Sequence, residues 1–228
     1  MTDWRPPNRQ ALLDELVEQW RKCEDCPRMV EHRNQVIPYM GNPEAPIVYI
    51  GQSPGEHEDK SGALWEGPAG EKLAEMLSGL DGVNIDSFFF LNAVACRPAR
   101  FDDLKGRLEN EAPTDVEIDT CKKWVHAAIR IVDPRCLILG GVSALKCVGV
   151  RSALGNVEGE MMDVKIRGVN REIVYAAMPV YHPSALARYA DKPQLEYQTL
   201  GHMQAVIDRV KAYLRIARGG SPMALEER

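Results

Sequence analysis

Pro46-Ile47-Val48-Tyr49-Ile50, followed directly by Gly51-Gln52-Ser53-Pro54-Gly55, is the stretch whose reading decides the fold. Its first half is short, apolar and rich in β-branched residues, the pattern of a buried strand. Its second half is turn-forming, so the strand leaves the core at Gly51. A fully apolar strand is typical of parallel sheets covered by helices, and the flanking sequence should therefore supply helices and further strands in alternation.

Upstream, Leu12, Leu13, Leu16, Val17 and Trp20 recur at helical spacing behind Pro6 and Pro7, which predicts an amphipathic helix over residues 8 to 22, ending at Cys23; residues 31 to 45 are polar. Downstream, Leu73, Met76, Leu77 and Leu80 predict a helix that begins after Pro68-Ala69-Gly70, with Phe88 to Val94 as a second strand. Pro113-Thr114-Asp115 opens a helix carrying Ile118, Cys121, Val125 and Ile129. Cys136-Leu137-Ile138-Leu139 reads as a third strand, and Ser143 to Val148 as a short helix. Residues 157 to 178 look like a β-hairpin whose second arm, Glu172 to Met178, leads into Tyr181-His182-Pro183-Ser184. A final helix is expected over about 194 to 217, then a mobile tail at Gly219-Gly220-Ser221-Pro222. The expected fold class is a three-layer α/β/α sandwich with a mostly parallel central sheet. In such sheets the site lies beyond the carboxyl ends of the strands, here at segments 51–59, 92–101, 140–143 and 181–188.

The 228 residues are 45% hydrophobic and 27% charged, and 28 basic against 33 acidic side chains leave a formal charge of -5. That balance argues against a protein that coats nucleic acid non-specifically, while leaving room for a local basic groove. No run approaches the roughly 20 apolar residues of a membrane span. Met1-Thr2-Asp3-Trp4 lacks the order of a signal peptide, so a cytoplasmic, nucleoid-associated protein is expected. Six cysteines in this context suggest reduced thiols or metal ligation more than disulfides. Cys23 and Cys26 form a C-x2-C pair that can place two thiolates on one metal centre, with Cys96 and Cys121 able to converge on it; on spacing alone the set suits zinc or an iron-sulfur cluster. Cys96 and Cys121 are equally readable as small core residues, and Cys136 and Cys147 are expected in the core.

Several segments together resemble the family 4 uracil-DNA glycosylases, the iron-sulfur branch of the uracil-DNA glycosylase superfamily. They are Gly51-Gln52-Ser53-Pro54-Gly55-Glu56-His57-Glu58-Asp59, Leu64-Trp65-Glu66-Gly67-Pro68-Ala69-Gly70, Asn92-Ala93-Val94-Ala95-Cys96-Arg97-Pro98, Glu117 to Cys121, and Tyr181-His182-Pro183-Ser184 to Arg188. The match runs from about residue 20 to 215. The resemblance implies one domain over 1–217 that includes an N-terminal cluster-binding segment (about 8–45), with 218–228 as a flexible tail. It implies a 4Fe-4S cluster on Cys23, Cys26, Cys96 and Cys121. The partner would be DNA containing a modified or deaminated base, handled by a monomer with no membrane role. The activity would be hydrolysis of the N-glycosidic bond of a base flipped out of DNA, leaving an abasic site. Asn92 matches the asparagine that reads the uracil edge, Trp65 the stacking aromatic, and His182 the histidine that donates to the base oxygen as negative charge develops. Gly51, Ser53, Pro54 and Gly55 would bring backbone close to the base, and Pro183, Ser184 and Arg188 would face the DNA.

This chain departs from the family pattern in the first motif, where Gln52 stands in place of a glutamate. An amide cannot act as a general base but can orient a water, so slower or altered chemistry is expected. Glu58 keeps a carboxylate in the same loop and is the candidate for activating water or stabilising the oxocarbenium ion; a solvated loop acid is the alternative. His57 is expected to be exposed. Behind Cys96 the family often has a water-holding asparagine and this chain does not. Segment Ala99 to Ala112 is longer than usual and reads as a solvated mixed-charge loop in preference to a DNA-contacting insertion; it contains no histidine. Two other classes remain in view: a non-catalytic module that recognises a modified base, which Gln52 and the acidic charge favour, and a base-modifying transferase-like relative, for whose second substrate there is no motif.

Overall fold

The computed structural model describes residues 8–168 and 171–217; the Gly219 to Pro222 tail and the segment 218–228 lie outside them. In chain order the elements are α1 (Arg9–Arg21), α2 (Pro27–His32), β1 (Met40–Gly41), β2 (Ile47–Gly51), α3 (Glu56–Ser61), α4 (Pro68–Ser78), β3 (Phe88–Asn92), β4 (Ala99–Asp102) and β5 (Arg107–Asn110). Then come α5 (Asp115–Val132), β6 (Cys136–Gly140), α6 (Val142–Cys147), β7 (Met162–Arg167), β8 (Glu172–Val180), α7 (Pro183–Arg188) and α8 (Pro193–Ala217).

Six strands form one sheet in the order β1-β3-β2-β6-β8-β7. The four central strands are parallel, and the edge strands β1 and β7 run antiparallel to their neighbours. Every residue of β2, β3 and β6 is buried, and the period-2 pleat divides them between two cores. Val48, Ile50, Phe89, Leu91, Leu137 and Leu139 face α1, α5 and α6. Ile47, Tyr49, Phe88, Phe90, Cys136 and Ile138 face α4 and α8. This is the expected three-layer α/β/α arrangement with a mostly parallel sheet. Cys136 and Cys147 are core residues, as read. Among the described residues no helix is long and apolar enough to cross a membrane.

The sequence reading needs correction in four places. Segment 99–112 is not a loop: β4 and β5 form an antiparallel hairpin. Its mixed charges are cross-strand partners, with Arg100 opposite Glu109, Asp102 opposite Arg107 and Phe101 opposite Leu108, and such pairs stabilise a ladder. The turn-rich loop behind β2 gives way at Glu56 to α3, whose carboxylate Glu58 caps the helix from its third position. Pro183 opens a further short helix, α7, with His182 as its N-cap. The second strand stops at Asn92, two residues earlier than the apolar run, because Val94 turns into the core beside α5 instead of extending the ladder.

Candidate functional site

The carboxyl ends of the parallel strands converge. Gly51 at the end of β2 pairs in register with Asn92 at the end of β3, and β8 delivers His182 two residues past Val180. Between them opens a cavity of about 580 Å³, lined by Gln52, Ser53, Pro54, Gly55, Glu58, Trp65, Asn92, His182, Ser184 and Arg188. Ten residues singled out from the sequence thus share one space. Gly51 and Pro183 are buried behind it. A side chain at Gly51 would put its Cβ 2.5 Å from the Asn92 Oδ1 and 2.7 Å from the Trp65 ring, so only glycine lets both approach.

The two groups with the most specific chemistry are held at one end and free at the other. Asn92 is buried, yet its carboxamide makes no hydrogen bond to any described residue, which leaves a donor and an acceptor for whatever fills the cavity. His182 Nδ1 accepts from the Ser184 backbone N–H at 3.2 Å and lies 2.8 Å from the Ser184 hydroxyl. An Nδ1 that accepts fixes the proton on Nε2. Desolvation, reinforced by the Arg188 charge, pushes the imidazole down to about 4, so at neutral pH it is an uncharged Nε2–H donor. The Trp65 ring stacks against His182 at 5.8 Å between centroids and meets Tyr49 edge-on. Trp65 holds a left-handed backbone (φ 64), a conformation that costs of order 1–3 kcal/mol and persists only where its surroundings enforce it.

Glu58 lies in the cavity wall, and both its oxygens are engaged: Oε2 accepts from the Gly55 N–H and Oε1 from the Gly67 N–H, each at 2.9 Å. The carboxylate therefore ties the loop after β2 to the segment before α4. His57 lines the rim and is exposed, as expected.

Sequence reasoning missed three participants. Buried Asp59 accepts from the Asn34 N–H and side-chain amide and so anchors α3 to the N-terminal segment. Buried Arg97 donates to Asn110 Oδ1 at 2.7 Å and reaches Glu56, locking the hairpin to the cavity. Asn110 itself enters the cavity, so an amide absent behind Cys96 arrives from β5 instead. The only local signal was strand-like alternation around Leu108.

The four cysteines are free thiols on three segments that pack with the α1 and α5 core: Cys23 and Cys26 between α1 and α2, Cys96 behind β3, and Cys121 on α5. The Arg33 guanidinium reaches two of these segments, with Nη1 3.0 Å from Cys96 Sγ and Nη2 donating to the Cys23 carbonyl at 2.6 Å. Arg28 makes a bidentate pair with Glu117, one turn before Cys121, and Lys123 pairs with Asp25 between the first two cysteines. Burial pushes the Cys26 thiol up to about 11, and the nearby Cys96, Glu117 and Cys23 add to the effect; Cys121 is raised well above its usual value by burial, with Cys96 and Cys26 contributing. No group of three or more cysteine, histidine or acidic side chains among the described residues stands at the spacing of a single-ion site.

The family profile described as the uracil DNA glycosylase superfamily matches residues 38–210. A type-4 uracil-DNA glycosylase of Pyrobaculum aerophilum is 33% identical over 188 residues, which cover 80% of this chain and 87% of the relative. That of Thermotoga maritima is 31% identical over 183 residues, covering 79% and 85%. The type-4 enzyme of Sulfurisphaera tokodaii is 29% identical over 178 residues, covering 76% and 74%. With the profile across the cavity-bearing sheet and these relatives across most of its length, the chain belongs to the uracil DNA glycosylase superfamily and stands with its type-4 members.

Proposed function

We propose that this chain is a monofunctional DNA glycosylase that hydrolyses the N-glycosidic bond of uracil, or of a related deaminated or modified base, and leaves an abasic site. The observation that carries the reading is the pair formed by a buried Asn92 amide without a partner among the described residues and a neutral His182 Nε2–H in one cavity. A base turned out of the duplex loses its pairing and stacking, and the cavity offers a replacement for each. Asn92 reads the edge of the base through its donor and acceptor, and Trp65 supplies the stacking face. As the bond from the sugar C1′ to the ring nitrogen breaks, the base departs with the bonding electrons. His182 Nε2–H donates to the base oxygen on which that charge accumulates, while water supplies the hydroxyl that C1′ keeps and the proton that ends on the departed base. Gln52, with Asn110 opposite, orients that water, and Glu58 holds the loop that carries Gln52, Ser53, Pro54 and Gly55 at its working distance. Pro183 sets the start of α7, from which Ser184 and Arg188 face the DNA backbone.

We assign a 4Fe-4S cluster to Cys23, Cys26, Cys96 and Cys121. Four thiols that neighbour one another, unpaired as disulfides, with Cys26, Cys96 and Cys121 raised chiefly by burial, fit a cationic centre larger than one ion. Such a cluster, when bound, ties the N-terminal segment to α5 and β3. The setting we assign is a monomer acting on DNA in the cytoplasm, at the nucleoid.

A second reading, a module that binds a modified base without cutting it, draws on the engagement of both Glu58 oxygens and on the amide at position 52. Incubation of anaerobically purified protein with duplex and single-stranded oligonucleotides bearing uracil, 5-hydroxymethyluracil, hypoxanthine or xanthine, followed by alkaline cleavage, decides between them. Strand scission at uracil is the expected result. Tight binding without scission at any base would replace the glycosylase with the module.

A further inference from the structure

Away from the base cavity, α5 and the edge strand β7 enclose a groove of about 540 Å³. Lys122, Lys123, Arg130, Lys165 and Arg167 line it, against the carboxylates of Asp119 and Glu172. The lysines are matched: Lys122 with Asp119 at 2.7 Å, Lys165 with Glu172 at 3.2 Å, and Lys123 with Asp25 at 2.5 Å. Arg130 and Arg167 have no carboxylate within 4.0 Å among the described residues, so the groove keeps two uncompensated guanidiniums in a chain whose net charge is -5. Guanidiniums suit phosphate oxygens through their forked donors.

Their placement is built into the fold. Arg167 ends β7, and α5 holds its backbone on both sides: the N–H donates to His126 Nδ1 at 3.0 Å, and the carbonyl accepts from Arg130 Nη1 at 3.4 Å. His126 is buried, and its Nε2 lies 3.0 Å from the Cys147 carbonyl, which anchors the arrangement to α6. Arg167 pairs in register with Glu172 at the start of β8, whereas His182 lies beyond the other end of that strand. Nine strand residues separate the two ends, roughly 30 Å at the usual rise.

We propose that this groove is a second nucleic-acid site, taking backbone phosphates of a DNA segment about 9 base pairs or more away from the nucleotide in the base cavity. The site rests on the glycosylase reading only for the identity of the nucleic acid; the anion chemistry stands on the arginines. It would keep a long substrate bound while the base cavity samples it.

The test compares wild type with Arg130→Ser/Arg167→Ser. Fluorescence anisotropy is read across a salt series, on an undamaged duplex of about 40 base pairs and on a single strand of about 8 nucleotides that cannot span both sites. For the duplex, the variant should bind about tenfold more weakly, and the slope of log Kd against log salt should fall by about two. Binding of the short strand, and any excision from it, should be unchanged. Arg130→Lys/Arg167→Lys keeps the charge and should restore the slope, and Lys165→Glu, at an exposed position, should weaken duplex binding even if the serine variant unfolds. Equal duplex affinity and slope in all variants would overturn the proposal. So would capture of inorganic phosphate alone that added duplex does not displace, because the groove would then serve a small free anion. If the glycosylase reading fails, excision is absent from the wild type itself while the binding difference persists.

Discussion

The base cavity and the cysteine region are both assembled from distant parts of the chain, but they are completed in different ways. In the cavity the supporting bonds are satisfied within the protein. Ser184 fixes the His182 tautomer, Glu58 ties two loops together, and the Asn92 carboxamide and His182 Nε2 are left for a base. Around the cysteines the supporting contacts are also in place: Arg33 reaches Cys96 Sγ and the Cys23 carbonyl, Arg28 pairs with Glu117, and Lys123 pairs with Asp25. There, however, the functional atoms crowd one another, and burial, with neighbouring cysteines adding to it, holds the Cys26 and Cys121 thiols protonated. Preorganised polar groups need no partner to stand in position, whereas clustered buried thiols need a positive centre to ionise. One region is finished by folding; the other, on the cluster assignment proposed above, would be finished by its cofactor.

The strongest way to break that contrast is to remove a cysteine. Cys121→Ser should lower iron content and cost about 4 kcal/mol or more of stability, because a lost metal centre is among the few lesions that large. Thermal unfolding and iron analysis read this, while kcat of the remaining folded protein should stay near wild type. A variant with wild-type Tm would mean the thiols are ordinary core residues. The converse lesion comes next. His182→Ala should lower kcat by about 10²–10³, the usual effect of losing one donor to developing negative charge, with iron content unchanged. Because folding lowers the His182 pKa from 6.5 to about 4, its contribution to stability is fully present above pH 6.5 and is lost as pH falls through 4. His182→Ala should therefore flatten that acid-side decline in a pH series of denaturant midpoints.

Much of the sheet was legible because β2, β3 and β6 are continuous apolar runs, and a run buried on both faces announces itself locally. The short helices were not. α3 and α7 have six residues each, too few for periodicity, and are set by end signals: Glu58 three positions past Gly55, and Pro183 behind His182. The hairpin is not legible locally, because its charges alternate like those of a solvated loop and face each other only once the strands pair. In the cavity, Asn92 and His182 could be found from strand ends and motif resemblance. Asp59, Arg97 and Arg33 reach Asn34, Glu56 and Cys96 across 25 to 63 residues of sequence and leave no local trace.

Glu58 sharpens the comparison, because it lines the cavity yet is bonded like a structural group. Glu58→Ala removes a carboxylate that accepts two backbone N–H donors and leaves both donors beside the cavity. A loss of about 1.5–3 kcal/mol is expected from one such charged acceptor. Glu58→Gln retains one acceptor oxygen and should recover roughly half of this. If Glu58 positions the loop, KM and Tm move together and the pH profile of kcat keeps its shape. A lost acid limb in Glu58→Gln at unchanged Tm would instead make it the group that activates water.

The smallest effect concerns Gln52, and its sign matters more than its size. An amide at this position can orient water but cannot take its proton, so the wild-type rate should lack a titrating base. With His182 neutral down to about pH 4, excision by the wild type should be level from pH 8 to pH 5. Gln52→Glu introduces a carboxylate into the cavity wall, where desolvation raises its pKa above the usual value near 4.3. At pH 7 the ionised carboxylate can accept the proton, and kcat should rise about tenfold, the low end of what general bases contribute. As pH falls through the raised pKa that gain disappears, so the variant acquires an acid limb that the wild type does not have. A variant no faster than wild type, with a profile still level, would mean that water activation is not what limits this site, and that the base cavity is tuned by recognition instead.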